Sequence, residues 1–233
     1  MKNNYSYIGI ALIILVFGII FVPKIVNRIQ NGTTVEKDRM NIEGTERNTK
    51  LLFLEINGKA RSVPDFLFTN QDSLEISNLD FKGKVTVMEF FFASCPTICP
   101  VMNTNMRILD DEFHERDDFA IASFTIDPEN DTPKVLKEYA ERYGVKSLNW
   151  HFLTGDLEKI HALSNTGFNI FAGINPEVAG GFEHQGYFAL VDKNGFIRSR
   201  KDTHGNPKIY YQGTDEKEVD MLKQDIKNLL EEE

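Results

Sequence analysis

The run "KVTVMEFFF" at residues 84–92 constrains the fold more than any other stretch of the chain. Its β-branched and aromatic residues are continuous, not alternating with polar ones. That is the pattern of a strand buried on both faces, at the centre of a sheet covered by helices. The run leads directly into "ASCPTICP", which holds the chain's 2 cysteines, Cys95 and Cys99, each followed by a proline. The prolines break the strand, and a helix is expected from about Ile98 through "VMNTNMRILDDEFHER". In open α/β sheets, functional groups collect at the carboxyl ends of strands. The cysteines therefore lie where chemistry is expected.

Downstream, "FAIASFTI" at 119–126 reads as the next strand and "DPENDTP" as a loop, with Asp131 or Thr132 as N-cap and Pro133 in the first helical position. A helix over 134–143 stops at Gly144, a strand covers 149–155 and a helix 156–167. After a glycine-containing loop, "YFALVDKNGFIRSR" forms two strands about an Asn194–Gly195 turn, and an amphipathic helix closes the chain. Ahead of the buried run, "VPDFLFTNQDSLEISNLDFKGK" gives short strands joined by a turn at "NQDS". Strand–helix alternation implies parallel crossovers, and the hairpin adds antiparallel strands. The expectation over 51–233 is an α/β domain with a mixed central sheet flanked by helices.

The N-terminus has a different character. "IGIALIILVFGIIFV" at 8–22 is uncharged, and widening it to Tyr5 and Val26 reaches the ~20 residues that span a bilayer, with Lys24 placed to snorkel outward. No small-residue cleavage site follows, so residues 1–26 are expected to be an uncleaved transmembrane anchor rather than a signal peptide. Residues 27–50 are polar, without hydrophobic periodicity, and read as a linker. Lys2 lies before the apolar run, and Lys24 and Arg28 after it, so basic residues do not set its orientation. A net charge of -9 with no basic stripe argues against nucleic acid as a partner.

Two cysteines cannot make a disulfide framework, and a bridge closing so short a loop adds little stability. C-x-x-x-C at a helix start has chemical consequences instead. Residues i and i+4 share a face with Cβ atoms about 5–6 Å apart, which suits a shared metal and, after small adjustment, a disulfide. The helix N-terminus lowers the pKa of at least one thiol. The spacing alone does not decide between redox and metal chemistry. Soft thiolates select Cu(I) or zinc, and zinc wants four ligands in a closed site, so a third ligand matters. His184, in the glycine-rich "GGFEHQGYFALVD" just before a buried strand, is the best candidate. His114, His151, His161 and His204 read as surface or packing residues. Two sulfurs and one imidazole make a three-coordinate Cu(I) site, or a Cu(II) site with a weak further ligand.

Glu89 interrupts the apolar run six positions before Cys95, the spacing at which thioredoxins keep a buried acid. Such a carboxyl has a raised pKa and can relay protons to a thiol. The competing reading is a Glu paired with a lysine at the sheet edge. Met102 and Met106, at helical spacing, read as core.

Taken together, "FFFASCPTICPVM", "FTIDPENDTP" and "FEHQGYFALVDKNG" resemble the Sco/SenC family of copper-binding, thioredoxin-fold proteins, over roughly residue 63 to the C-terminal helix. The resemblance implies a thioredoxin-like fold, Cys95, Cys99 and His184 as copper ligands, and Asp127 as an acid supporting the site. It also implies a part in assembling cytochrome c oxidase, by delivering copper to the dinuclear centre of subunit II or by reducing its cysteines, with a thiol reductant as a further partner. The implied location is a single-pass anchor in a bacterial inner membrane with the domain in the periplasm. Thr97 stands where many members have Asp, and Gln185 where Ser or Thr is common; neither change removes a ligand. Two rivals use the same cysteines. A general thiol–disulfide oxidoreductase calls for a cis-proline loop facing the dithiol, yet no proline sits just before "YFALVD". A peroxidase of the peroxiredoxin kind calls for Thr-x-x-Cys, whereas Ala93 and Ser94 precede Cys95.

Overall fold

The computed structural model describes residues 10–12, 14–19, 21–23, 50–202 and 204–232. The chain divides into two compact units, Met1–Arg47 and Asn48–Glu233. In the first, the described residues are helical. Among the described residues no helix is long and apolar enough to cross a membrane. Much of the expected anchor, and all but the last residue of the expected linker, lie outside the described residues.

The second unit runs β1 (Leu52–Phe53), β2 (Glu55–Ile56), β3 (Lys59–Ala60), β4 (Leu67–Asn70), β5 (Glu75–Ser77), β6 (Val85–Phe91), α1 (Cys99–Phe113), β7 (Phe119–Thr125), α2 (Pro133–Tyr143), β8 (Trp150–Thr154) and α3 (Leu157–Ala162). It continues through β9 (Ala172–Ile174), β10 (Phe182–His184), β11 (Tyr187–Val191), β12 (Ile197–Ser199), β13 (Tyr211–Gln212) and α4 (Glu216–Glu231). The main sheet has the order β1-β12-β11-β6-β7-β8-β4-β5, with β13 also pairing β11. β6, β7 and β8 are parallel, joined by the α1 and α2 crossovers; β11 and β4 flank them antiparallel. The fold is thus mixed α/β.

The long, mostly apolar run follows from this placement. Every residue of β6 is buried. Phe91 points to one face, its ring 5.3 Å from that of Tyr139 on α2. Phe90 points to the other, 5.6 Å from Phe168 beyond α3. Phe113 of α1 packs on Phe119 of β7, with ring centroids 5.0 Å apart. α2 starts with Thr132 accepting from the Val135 N–H at 3.4 Å, carries Pro133 in its first turn and stops at Gly144 in the left-handed region (φ 64°).

Two stretches depart from the sequence expectation. The helix expected over 156–167 is α-helical to Ala162, then widens into a π turn over Leu163–Phe168. Gly167 presses there on Pro64; a Cβ would lie 3.1 Å from the proline ring. The expected glycine loop instead contains a two-stranded sheet, β9 paired with β10, separate from the main one.

Near the other end of the sheet, Arg198 is buried at 3% exposure. Its guanidinium donates to Asp192, to the Leu51 carbonyl and to Glu232, all at 2.9–3.2 Å. It thereby fastens the first strand, the β11–β12 turn and the end of α4 to one point.

Candidate metal centre

The last backbone bond between β6 and β7 runs from the Ile126 N–H to the Phe91 carbonyl at 2.8 Å. The chain then leaves the sheet in a tight turn, closed by the Cys95 N–H donating to the Phe92 carbonyl at 3.2 Å. Pro96 continues the loop, and α1 begins at Cys99 with Pro100 in its first turn, where a missing N–H costs nothing. Both cysteines are free and buried.

The β9–β10 hairpin delivers the histidine. His184 ends β10 opposite Ala172, and two aromatic contacts set its position. Phe182 packs on Phe92 with centroids 5.5 Å apart, and the His184 ring stands edge-on to Phe92 at 5.9 Å. The turn of the hairpin closes down through Gly180, whose φ is +92° and whose missing Cβ would lie 2.8 Å from the Phe92 ring and 3.1 Å from Pro96. Gly180→Ala is expected to cost about 1–3 kcal/mol from its backbone conformation, and to lift the hairpin off Phe92. Urea unfolding together with copper affinity measures both effects.

The ligand atoms of Cys95, Cys99 and His184 lie within 4.8 Å of one another, and Cys99 Sγ is 3.2 Å from His184 Nε2. Donors bound to one ion at roughly 2.0–2.3 Å lie within about 4.6 Å of each other, so the arrangement is nearly closed. His184 Nδ1 is 3.3 Å from the Gln185 carbonyl, which can only accept. Nε2 is the ring nitrogen that faces the sulfurs. The Cys95 thiol is lowered to about 3, first by a hydrogen bond from the Cys99 thiol, then with help from His184 and Thr97, against the opposing effect of burial. Thr97 Oγ1 lies 3.5 Å from Cys95 Sγ. The Cys99 thiol is pushed up by serving as donor in that bond and by burial. The two sulfurs are thus driven apart in acidity, Cys95 being the more readily ionised and Cys99 the one that holds its proton. Two soft sulfurs and an imidazole fit Cu(I).

Asp127 is not in this group. Its carboxylate accepts from Asn130 Nδ2 at 3.0 Å, and its carbonyl accepts from the Asn130 and Asp131 N–H groups, which is turn chemistry. The acid that reaches the cysteine loop is Asp131. Its Oδ2 accepts from the Ala93 N–H at 2.9 Å and from the Thr125 hydroxyl. Reading the sequence treats Asp131 only as a possible N-cap. The signal available there is that Asp131 and Thr132 compete for one capping position, which leaves one of them for another task.

Glu89 is neither at a sheet edge nor paired with a lysine. It is fully buried, with Oε1 accepting from Ser123 Oγ at 2.7 Å. Ser123 Oγ in turn accepts from Trp150 Nε1 at 3.0 Å. Oε2 has no partner among the described residues, and burial pushes the carboxyl up to about 7. Met102 and Met106 are fully buried in the core. Gln185 extends the hairpin, bonding Phe171 through both its backbone N–H and its side-chain oxygen. His151 contacts Asn70, His161 the Ile126 carbonyl and His114 the Asp110 carbonyl; none joins the metal-ligand group among the described residues.

The SCO1/SenC family model matches residues 55–217. The chain belongs to the SCO1/SenC family. Among its Sco relatives is the SCO1 protein homolog of Bacillus subtilis, 38% identical over 145 residues, or 61% of this chain and 74% of that protein. The solved structure of BsSco, a member of the Sco family of cytochrome c oxidase assembly proteins in which a disulfide switch was identified, superposes with a TM-score of 0.62 at 32% identity. That match covers 74% of this chain and 95% of BsSco. Bradyrhizobium japonicum ScoI, solved with copper bound, shares the fold at 23% identity and a TM-score of 0.51, over 71% of this chain and 99% of ScoI. The mixed sheet with its helices is the thioredoxin-like Sco architecture.

Proposed function

We propose that the domain binds one copper ion through Cys95 Sγ, Cys99 Sγ and His184 Nε2 and passes it to a thiol-bearing acceptor during cytochrome c oxidase assembly. The dinuclear copper centre of subunit II is the acceptor in this reading. The observation that carries it is the meeting of Cys99 Sγ and His184 Nε2 at 3.2 Å across 85 residues of chain, beside a second sulfur. Copper-binding relatives and the oxidase-assembly relative BsSco support it.

Cys95 presents a ready thiolate. Cys99 gives up its proton as the soft cation arrives, and His184 offers Nε2 as the third donor. A three-donor site leaves room for an incoming thiolate, so copper can leave by stepwise ligand exchange. A Cys95–Cys99 disulfide removes both thiolates, and a thiol reductant must return two electrons before copper binds again. The residues 1–26 would tether the domain to a bacterial inner membrane, on its periplasmic side.

Anaerobic Cu(I) titration of the full chain, with thiol alkylation before and after, tests the reading. One copper per chain and protection of both thiols are expected. His184→Ala should bind about ten- to hundredfold more weakly, about 1.4–2.8 kcal/mol. No copper uptake would overturn the assignment. Rapid reduction of protein disulfides by such a copper-free chain would favour the second reading, a thiol–disulfide oxidoreductase, for which the depressed Cys95 thiol is the supporting observation.

A further inference from the structure

We propose that Asp131 is a positioning residue for the metal centre, holding the cysteine loop in the shape that aims Cys95 at His184. The proposal rests on the copper reading above for its consequence, and on separate geometry for its cause.

The turn that lifts the chain off β6 runs from Phe92 to Cys95 and is closed by one backbone bond between them. In such a turn the N–H of the second residue points away from the closing bond and needs a partner elsewhere. That residue is Ala93, and its partner is the Asp131 carboxylate at 2.9 Å, from 38 positions along the chain. The same oxygen takes the hydroxyl of Thr125, at the end of β7, and Thr125 Oγ1 accepts from the Asp127 N–H at 3.1 Å. Asp131 itself is 1% exposed. Its own N–H donates to the Asp127 carbonyl at 2.9 Å, and the next residue, Thr132, caps α2. One carboxylate therefore joins the end of β7, the start of α2 and the loop two residues before Cys95.

Nothing else on the backbone of residues 93 and 94 is held by a hydrogen bond among the described residues, whereas Cys99 is fixed by the helix it begins. Without Asp131, a half-buried N–H loses its acceptor and the loop is free to find another. Cys95 then shifts relative to Cys99 and His184. Groups that orient a ligand in this way typically change metal affinity about ten- to hundredfold when removed.

The test compares Asp131→Ala with Asp131→Asn in the full chain. The amide introduced by Asp131→Asn keeps an acceptor oxygen for the Ala93 N–H, so this variant serves as the conservative rescue. Cu(I) affinity is measured by competition with a chelator, and the Cu(II)–thiolate charge-transfer absorption reports ligand geometry. In metal-free chain, the iodoacetamide rate at Cys95 reports the loop directly. Asp131→Ala is expected to lower affinity about ten- to hundredfold, shift the absorption and change the alkylation rate several-fold, with Asp131→Asn close to wild type in all three. A folded Asp131→Ala chain that matches wild type in affinity, absorption and alkylation rate overturns the inference. If Asp131→Ala does not fold, Asp131→Glu carries the test: the charge stays, but one added methylene in a buried site displaces the loop, and wild-type behaviour there is equally fatal. A wild-type chain that takes up no copper sinks the copper reading instead, and the alkylation comparison still decides the role of Asp131.

Discussion

Replacing Cys99 with alanine is expected to weaken Cu(I) binding by about 3–4 kcal/mol, roughly a hundredfold to several-hundredfold. The scale comes from structural metal sites, where four ligands together supply about 10–16 kcal/mol, converted at about 1.4 kcal/mol per decade. Cys95→Ala should cost a similar amount, because either change leaves one sulfur and one imidazole. The two variants part company without metal. Cys99 donates the hydrogen bond that holds Cys95 ionised. In Cys99→Ala that donor is gone, so the midpoint of Cys95 alkylation against pH should climb from the strongly acidic range toward an ordinary thiol value of about 8.5. In Cys95→Ala the remaining thiol is buried and should stay unreactive at neutral pH. Chelator competition gives the affinities, and iodoacetamide rates across pH give the rest. An unchanged Cys95 profile in Cys99→Ala would show that the two sulfurs do not share a proton.

Glu89→Gln should make the domain more stable at alkaline pH and leave it unchanged in acid. The Glu89 carboxyl rises from 4.5 to about 7 on burial. Between those values the unfolded chain has released its proton while the folded chain keeps it. Stability is therefore fully present below about pH 4.5 and is lost as pH rises through 7. The complete loss is about 3 kcal/mol, from 1.36 kcal/mol per pKa unit. Glutamine keeps an acceptor for Ser123 Oγ and never ionises. Urea unfolding should find the variant about 3 kcal/mol more stable than wild type at pH 8 and equal to it at pH 4. The same difference at both pH values would mean that Glu89 does not titrate as its burial requires.

The parts of the fold legible in the sequence are those whose signal is local and long. β6 and β7 show as long, mostly apolar runs because both faces of the sheet centre are covered. α2 shows at both ends, through Thr132–Pro133 and Gly144. The β9–β10 hairpin leaves no such trace: three-residue strands are too short to show a period. The π turn after α3 is equally silent: Gly167 within it lies against Pro64, far away in sequence. At the metal centre the chemistry of Cys95, Cys99 and His184 is visible by residue type, but their convergence depends on Phe92, Phe182 and Gly180 folding the hairpin down. Asp131 escapes notice because its deciding partner, the Ala93 N–H, lies in another loop. Glu89 resists assignment because its deciding partner, Ser123, lies 34 positions away on β7.

The buried guanidinium of Arg198 fixes where the domain is held. Val191 pairs with Thr86, at the start of β6, while the sulfurs follow that strand's far end. Arg198 reaches Asp192 at the near end and Leu51 at the chain's entry into β1, three strands over from β6. A pull on the polypeptide ahead of residue 51 is taken up by the closing helix and the β11–β12 turn, like a leash clipped to a harness. The strand that leads to the sulfurs takes no part in this fastening.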